Sequence, residues 1–190
     1  RARELEERVA AISARIKLAV LGNHDLWTDH AILERALERA GATILINDAV
    51  RLPAPYEDVA LFGIDEPWTG APDAPRALRA CGDAPIKIAI CHAPDGLPLL
   101  RAASRDGEVR LFMCGHTHGG HIALPGYRPV IVPGKAGKLW PFGLHDLPGG
   151  LTLFVSRGIG GIELPIRTYA LPDVALFTLS FGEPDARTQT

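Results

Sequence analysis

Leu5, Val9, Ile12 and Ile16 fall four, three and four residues apart, which predicts one apolar face of an amphipathic helix at the start of the chain. The period then changes. Residues 16–21 form an apolar-rich run that reads as a buried strand, ended by Gly22 and Asn23. A second helix is expected from Thr28, as N-cap, through Ala40, with Ile32, Leu33, Ala36 and Leu37 inward and Gly41 placed to end it. Strands at 43–46 and 59–64 flank a loop containing Pro53 and Pro55. Residues 65–75 read as loop, followed by a short helix over 76–81. Two further continuous apolar runs, 86–91 and 109–114, enclose a helix over 97–103 with Pro98 in its first turn.

Beyond Ile122 the character changes to strand candidates at 130–132, 151–155 and 175–181, separated by Gly/Pro-rich loops, with no helix expected. Alternating strands and helices followed by strands alone predict an α/β layered domain whose second half completes or adds a sheet. Neither a repeat nor a linker is visible, so one domain is expected over 1–182, with 183–190 as a tail.

Composition narrows the function classes. A chain of 190 residues suffices for one well-filled core. A formal net charge of -2 provides no global basic field, so nucleic-acid binding is not indicated. No apolar run approaches the ~20 residues of a membrane span, and the charged start, Arg-Ala-Arg-Glu, lacks the core of a signal peptide. Cys81, Cys91 and Cys114 form no C-x-x-C pair and read as small apolar residues of the core. A closed structural zinc module, which favours thiolates, therefore fits poorly.

The candidate chemistry lies at strand ends. Three apolar runs each lead into a turn bearing ligand-type side chains: Gly22-Asn23-His24-Asp25, then His92-Ala93-Pro94-Asp95, then Gly115-His116-Thr117-His118 with His121 just beyond. In layered α/β domains ligands bind beyond the carboxyl ends of strands, so the three turns are expected to converge. Neutral imidazole is the commonest metal-ligating side chain. In an extended segment His116 and His118, two apart, point to the same side.

These motifs resemble those of the calcineurin-like metallophosphoesterases. Residues 21–27, 92–95, 115–120 and 155–160 together resemble a bacterial phosphodiesterase branch of that family, and the similarity runs from about Lys17 to Phe181. The resemblance implies a layered α-β-β-α sandwich with two mixed sheets. It implies a phosphodiesterase or pyrophosphatase with two divalent metal ions, Mn, Fe, Zn or Co, and a metal-bound hydroxide nucleophile. Asn23, His92 and His116 would hold one metal, His118 would bind the other, and His24 would be the general acid. Asp25 and Asp95 would orient ligands or substrate, or serve as ordinary turn carboxylates, and His121 would be a solvated loop histidine or touch substrate or a ligand. The implied substrate is a small phosphate ester or a lipid-linked pyrophosphate. The implied location is cytoplasmic or peripheral to the bacterial inner membrane, with an upstream anchor left open.

The chain departs from the family pattern at its start. The family's Asp-x-His and Gly-Asp motifs precede Gly-Asn-His, and nothing before Gly22 matches either. With Met113 the only methionine, the expectation is the C-terminal portion of a longer protein, binding metal weakly by itself. The alternative is a silent metal-binding scaffold with an incomplete centre. Other positions rank lower: His30 and His145 read as surface, Arg157 with Gly158, Gly160 and Gly161 as tight turns rather than a phosphate cradle, and Trp27 and Trp68 as core in preference to lining the mouth of the site. Lys135, Lys138 and Trp140 read as a substrate-recognition lip.

Overall fold

A computed structural model of the chain describes residues 2–161 and 166–180. The expected tail, 183–190, and Phe181 of the last strand candidate lie outside the described residues.

The first unit is α1 (Ala2–Ala10), β1 (Lys17–Ala19), α2 (Asn23–Leu26), α3 (His30–Arg39) and β2 (Ala42–Ile44). β1 and β2 pair in parallel, and Leu5, Val9 and Leu37 of the two longer helices pack against Ala19, Leu21 and Ala42. α1 stops six residues before the predicted Ile16 because Lys17 turns back on it. The Lys17 ammonium donates to the carbonyls of Val9, Ala10 and Ala40 and so caps both α1 and α3. Thr28 is not the N-cap. Its hydroxyl donates to the Asp25 carbonyl, and Asp29 takes the position before α3.

β3 (Asp48–Arg51), β4 (Val59–Ile64), α4 (Ala74–Ala80), β5 (Ile86–Cys91), α5 (Leu97–Ala103) and β6 (Val109–Cys114) follow. After them come a small hairpin of β7 (Ala123–Leu124) and β8 (Arg128–Pro129), then α6 (Lys135–Leu139), β9 (Gly143–Leu147) and β10 (Leu151–Val155). The large sheet runs β3-β4-β5-β6-β10-β9, with β4, β5, β6 and β10 parallel and both edge strands antiparallel. Parallel strands covered on both faces require continuous apolar sequence, which is why β4, β5 and β6 are legible as unbroken runs.

One face of the sheet, with Phe62, Phe112 and Leu153, is covered by α4 and α5. The other, with Val59, Ile88 and Leu111, looks across a trough at Ile16 and Leu18. The β1–β2 pair, backed by α1 and α3, is thus the third and fourth layer of a mixed α/β sandwich.

Four expectations change. Residues 130–132 are not a strand, and 175–180 pair with nothing regular. β9 is an edge strand whose half-polar sequence needs β10 beside it, so His145 lies on a strand and not in a loop. α6 occurs where no helix was expected, since its cap comes from far away: Asp95 Oδ1 accepts the Lys135 and Ala136 amides.

Candidate metal centre

The parallel strands deliver their carboxyl ends to one edge. Ile64 of β4 is level with Cys91 of β5, and Val155 of β10 with Cys114 of β6. Beyond them the turns are stitched together, the Gly115 amide donating to the His92 carbonyl at 2.9 Å and Ser156 to that of Cys114 at 2.8 Å. Asn23 opens α2 from the other sheet, and Gly22 before it lies against the His92 ring. Residues from both sheets meet in a cleft of about 530 Å³ lined by Asn23, His24, His92, His116, His118 and His121, among others.

Three donor atoms converge within it. His92 Nε2 is 2.9 Å from Asn23 Oδ1 and 2.9 Å from His116 Nδ1. One ring nitrogen carries at most one proton, so in a neutral set only one of these contacts is a well-formed hydrogen bond and the other is left without one. A cation shared by all three relieves that conflict. Adjacent ligands about 2.1 Å from a metal, at right angles, lie about 3 Å apart, matching the observed separations. Burial pushes His92 and His116 down to about 4, which keeps both rings neutral, the form that ligates. Among the described residues no group of three His, Cys, Asp or Glu gathers round one point; the converging set is two imidazoles and a carboxamide. It fits one divalent cation as a partial shell.

The Gly115–His121 turn is not extended. His116, His118, Gly119, Gly120 and His121 all have positive φ, from 52° to 80°. Non-glycine residues adopt that region seldom and mainly where surrounding structure enforces it. Thr117, 1% exposed, anchors the turn by donating to the Pro141 carbonyl, and Arg167 clips it from outside, donating to the His118, Arg157, Gly158 and Gly160 carbonyls. His118 Nδ1 is buried with no hydrogen-bond partner among the described residues, and burial, then Arg167, lowers the pKa of its ring. His121 is 4% exposed and its ring stands perpendicular to that of His118, 5.8 Å away.

His24 is exposed on the cleft wall, its ring edge-on to Trp27 at 4.7 Å. Asp25 Oδ2 accepts the Gly22 amide at 2.8 Å, and Asp95 caps α6; both carboxylates fix turns that carry site residues. Arg157 forms no cradle: it pairs with Asp173, which also accepts from Ser156 and the Gly158 amide, and packs over Tyr127 and Phe142. Trp27 and Trp68 are 59% and 42% exposed and line the cleft with Ile122, Val130 and Ile131, so they are not core. The 65–73 loop, read as a connection apart from Trp68, reaches the site in a way the sequence did not reveal. It follows β4 at the same sheet edge, holds a buried Glu66 and packs Trp68 edge-on to His116 at 4.3 Å. The strand-end position of Asp65 and Glu66 was the available signal.

No protein-family profile matches the chain. It is similar to an uncharacterised metallophosphoesterase, YkuE, of Bacillus subtilis, at 33% identity over 165 residues, 86% of this chain and 56% of that protein. It is 29% identical over 164 residues to the phosphodiesterase YaeI of Escherichia coli (85% and 57% covered), and 27% over 169 to an uncharacterised metallophosphoesterase of Aquifex aeolicus (86% and 60%). The chain thus spans a little over half the length of these curated relatives. No helix among the described residues is long and apolar enough to cross a membrane. Over the region shared with YkuE and YaeI, where the strand-end turns bring Asn23, His92 and His116 together, the chain is similar to metallophosphoesterases.

Proposed function

We propose that the natural protein hydrolyses phosphate esters, as a phosphodiesterase or pyrophosphatase, with two divalent cations. The observation that carries this reading is the convergence of Asn23 Oδ1, His92 Nε2 and His116 Nδ1 at 2.9 Å contacts in a cleft. These three hold one cation, and His118 contributes to the second. Such a cation pair, when bound, would supply Lewis acidity for the phosphoryl group and would lower the pKa of a bound water. The protein's own residues do the rest. His24, on the exposed wall, gives a proton to the leaving oxygen. The positive-φ turn and the Arg167 clip hold the imidazoles in place before substrate arrives.

The apolar wall supports an ester with a large apolar or planar portion, a lipid-linked pyrophosphate being one such substrate. The test is turnover of bis(4-nitrophenyl) phosphate and of a pyrophosphate-linked lipid by the natural protein loaded with Mn or Zn. His116→Ala and Asn23→Ala are expected to abolish it, and His24→Ala to lower kcat about 10²–10⁴-fold. Turnover by His116→Ala equal to wild type overturns the reading. Bound metal without turnover in the wild type points instead to a silent scaffold.

A further inference from the structure

Glu66 is the only acidic side chain buried among the described residues, with 0% exposure. It stands two positions past the end of β4, beside the strand that delivers His92. The side chain is firmly held. Its Oε2 accepts the Trp68 amide at 2.9 Å, the Thr69 amide at 2.6 Å and the Thr69 hydroxyl at 2.8 Å. The loop around it is fixed in turn, because Asp65 accepts the Glu66 and Ala71 amides while Asn47 Oδ1 accepts those of Asp65 and Asp73.

The other oxygen, Oε1, is buried with no hydrogen-bond partner, and no ion pair reaches Glu66 among the described residues. An ionised carboxylate enclosed this way is costly unless a positive charge lies within reach. The loop that encloses it sets Trp68 edge-on to the His116 ring at 4.3 Å, and β4 before it pairs with β5, the strand that leads into His92. A cation held by the neighbouring donor set would give the unpartnered Oε1 a positive charge to face.

Resting on the cation reading above, we propose that Glu66 is a positioning residue that acts through His92 and His116. Its carboxylate is the buried counter-charge that raises the affinity of the Asn23, His92 and His116 set for a divalent cation. It does so without joining the ligands.

The test is the Mn²⁺ dissociation constant of the natural protein, measured by titration calorimetry on Glu66→Gln and Glu66→Asp, with circular dichroism of the chelated proteins as a folding control. Glu66→Gln keeps the shape and can still accept the loop amides, and it is expected to weaken Mn²⁺ binding about 10–100-fold. Glu66→Asp keeps the charge in the same enclosure and is expected to bind close to wild type. A purely structural role reverses that order, since the isosteric variant then survives and the shortened one fails. Glu66→Gln with wild-type affinity, or Glu66→Asp as weak as Glu66→Gln, overturns the assignment; if Glu66→Gln does not fold, Glu66→Asp binding more than tenfold weaker than wild type overturns it. A wild-type protein that takes up no Mn²⁺ overturns the cation reading itself, a result distinct from normal uptake insensitive to Glu66.

Discussion

Gly22→Ala isolates the geometry of the donor set from the stability of the fold. A Cβ at Gly22 would lie 2.6 Å from His92 Cε1, 2.7 Å from Nδ1 and 2.9 Å from Nε2. Carbon contacts are comfortable only at about 3.5–4.0 Å, so the ring must retreat by about 1 Å. The backbone does not object, since φ and ψ of -105° and 169° suit any residue. The added methyl is therefore absorbed by the one side chain whose position matters. Ligand distances tolerate deviations of about 0.2 Å, and a misplacement of about 1 Å at a reacting centre costs about 10²-fold. Gly22→Ala is expected to melt near the wild-type temperature while Mn²⁺ affinity and diesterase kcat/KM each fall about 10²-fold. Gly115→Ala is the control: its Cβ would meet nothing closer than 3.9 Å, and Gly115 is not among the positive-φ residues. It is expected to behave as wild type although it belongs to the Gly-His-Thr-His motif. Wild-type metal affinity in Gly22→Ala, or an equal loss in both variants, refutes the reasoning.

Further outcomes follow from the same structure. His92 and His116 titrate near 4 in the fold against 6.5 when unfolded, so between those values the unfolded chain binds more protons. Their contribution is whole above pH 6.5 and is lost on acidification toward 4; urea midpoints of the chelated protein that stay flat over that window contradict it. Burial pushes the Cys81 thiol up to about 11 and Cys91 to about 12, and raises Cys114 as well. All three should resist iodoacetamide at pH 8 until denaturant is added, as read by mass spectrometry. Arg167→Ala strips four carbonyls of their guanidinium donor and is expected to destabilise by about 1–3 kcal/mol in urea unfolding. An unchanged midpoint would show that the clip is idle.

The sequence by itself determined the buried parallel strands and the chemistry at their ends. Val59–Ile64, Ile86–Cys91, Val109–Cys114 and Leu151–Val155 occur with the bounds their apolar runs predict, because strands covered on both faces admit no polar interruption beyond an isolated one. Asn23, His92 and His116 were legible as ligand-type residues because each follows an apolar run, 16–21, 86–91 and 109–114 in turn. What it could not show was anything fixed by a distant partner. The end of α1 depends on Lys17 reaching back, α6 on the Asp95 cap, and β9 on its neighbour β10. The His-Thr-His turn, legible as a cluster of imidazoles but not as a conformation, is held in left-handed backbone by Thr117 and Arg167 contacts 24 and 49 residues away. Glu66 looked like any loop carboxylate, and only the closure of the 65–73 loop over it removes the water that would make it ordinary. Local sequence dictates period, polarity and ligand type; burial, field and distance between donors arise from the packing of segments far apart in the chain, and these decide which polar residues form the site.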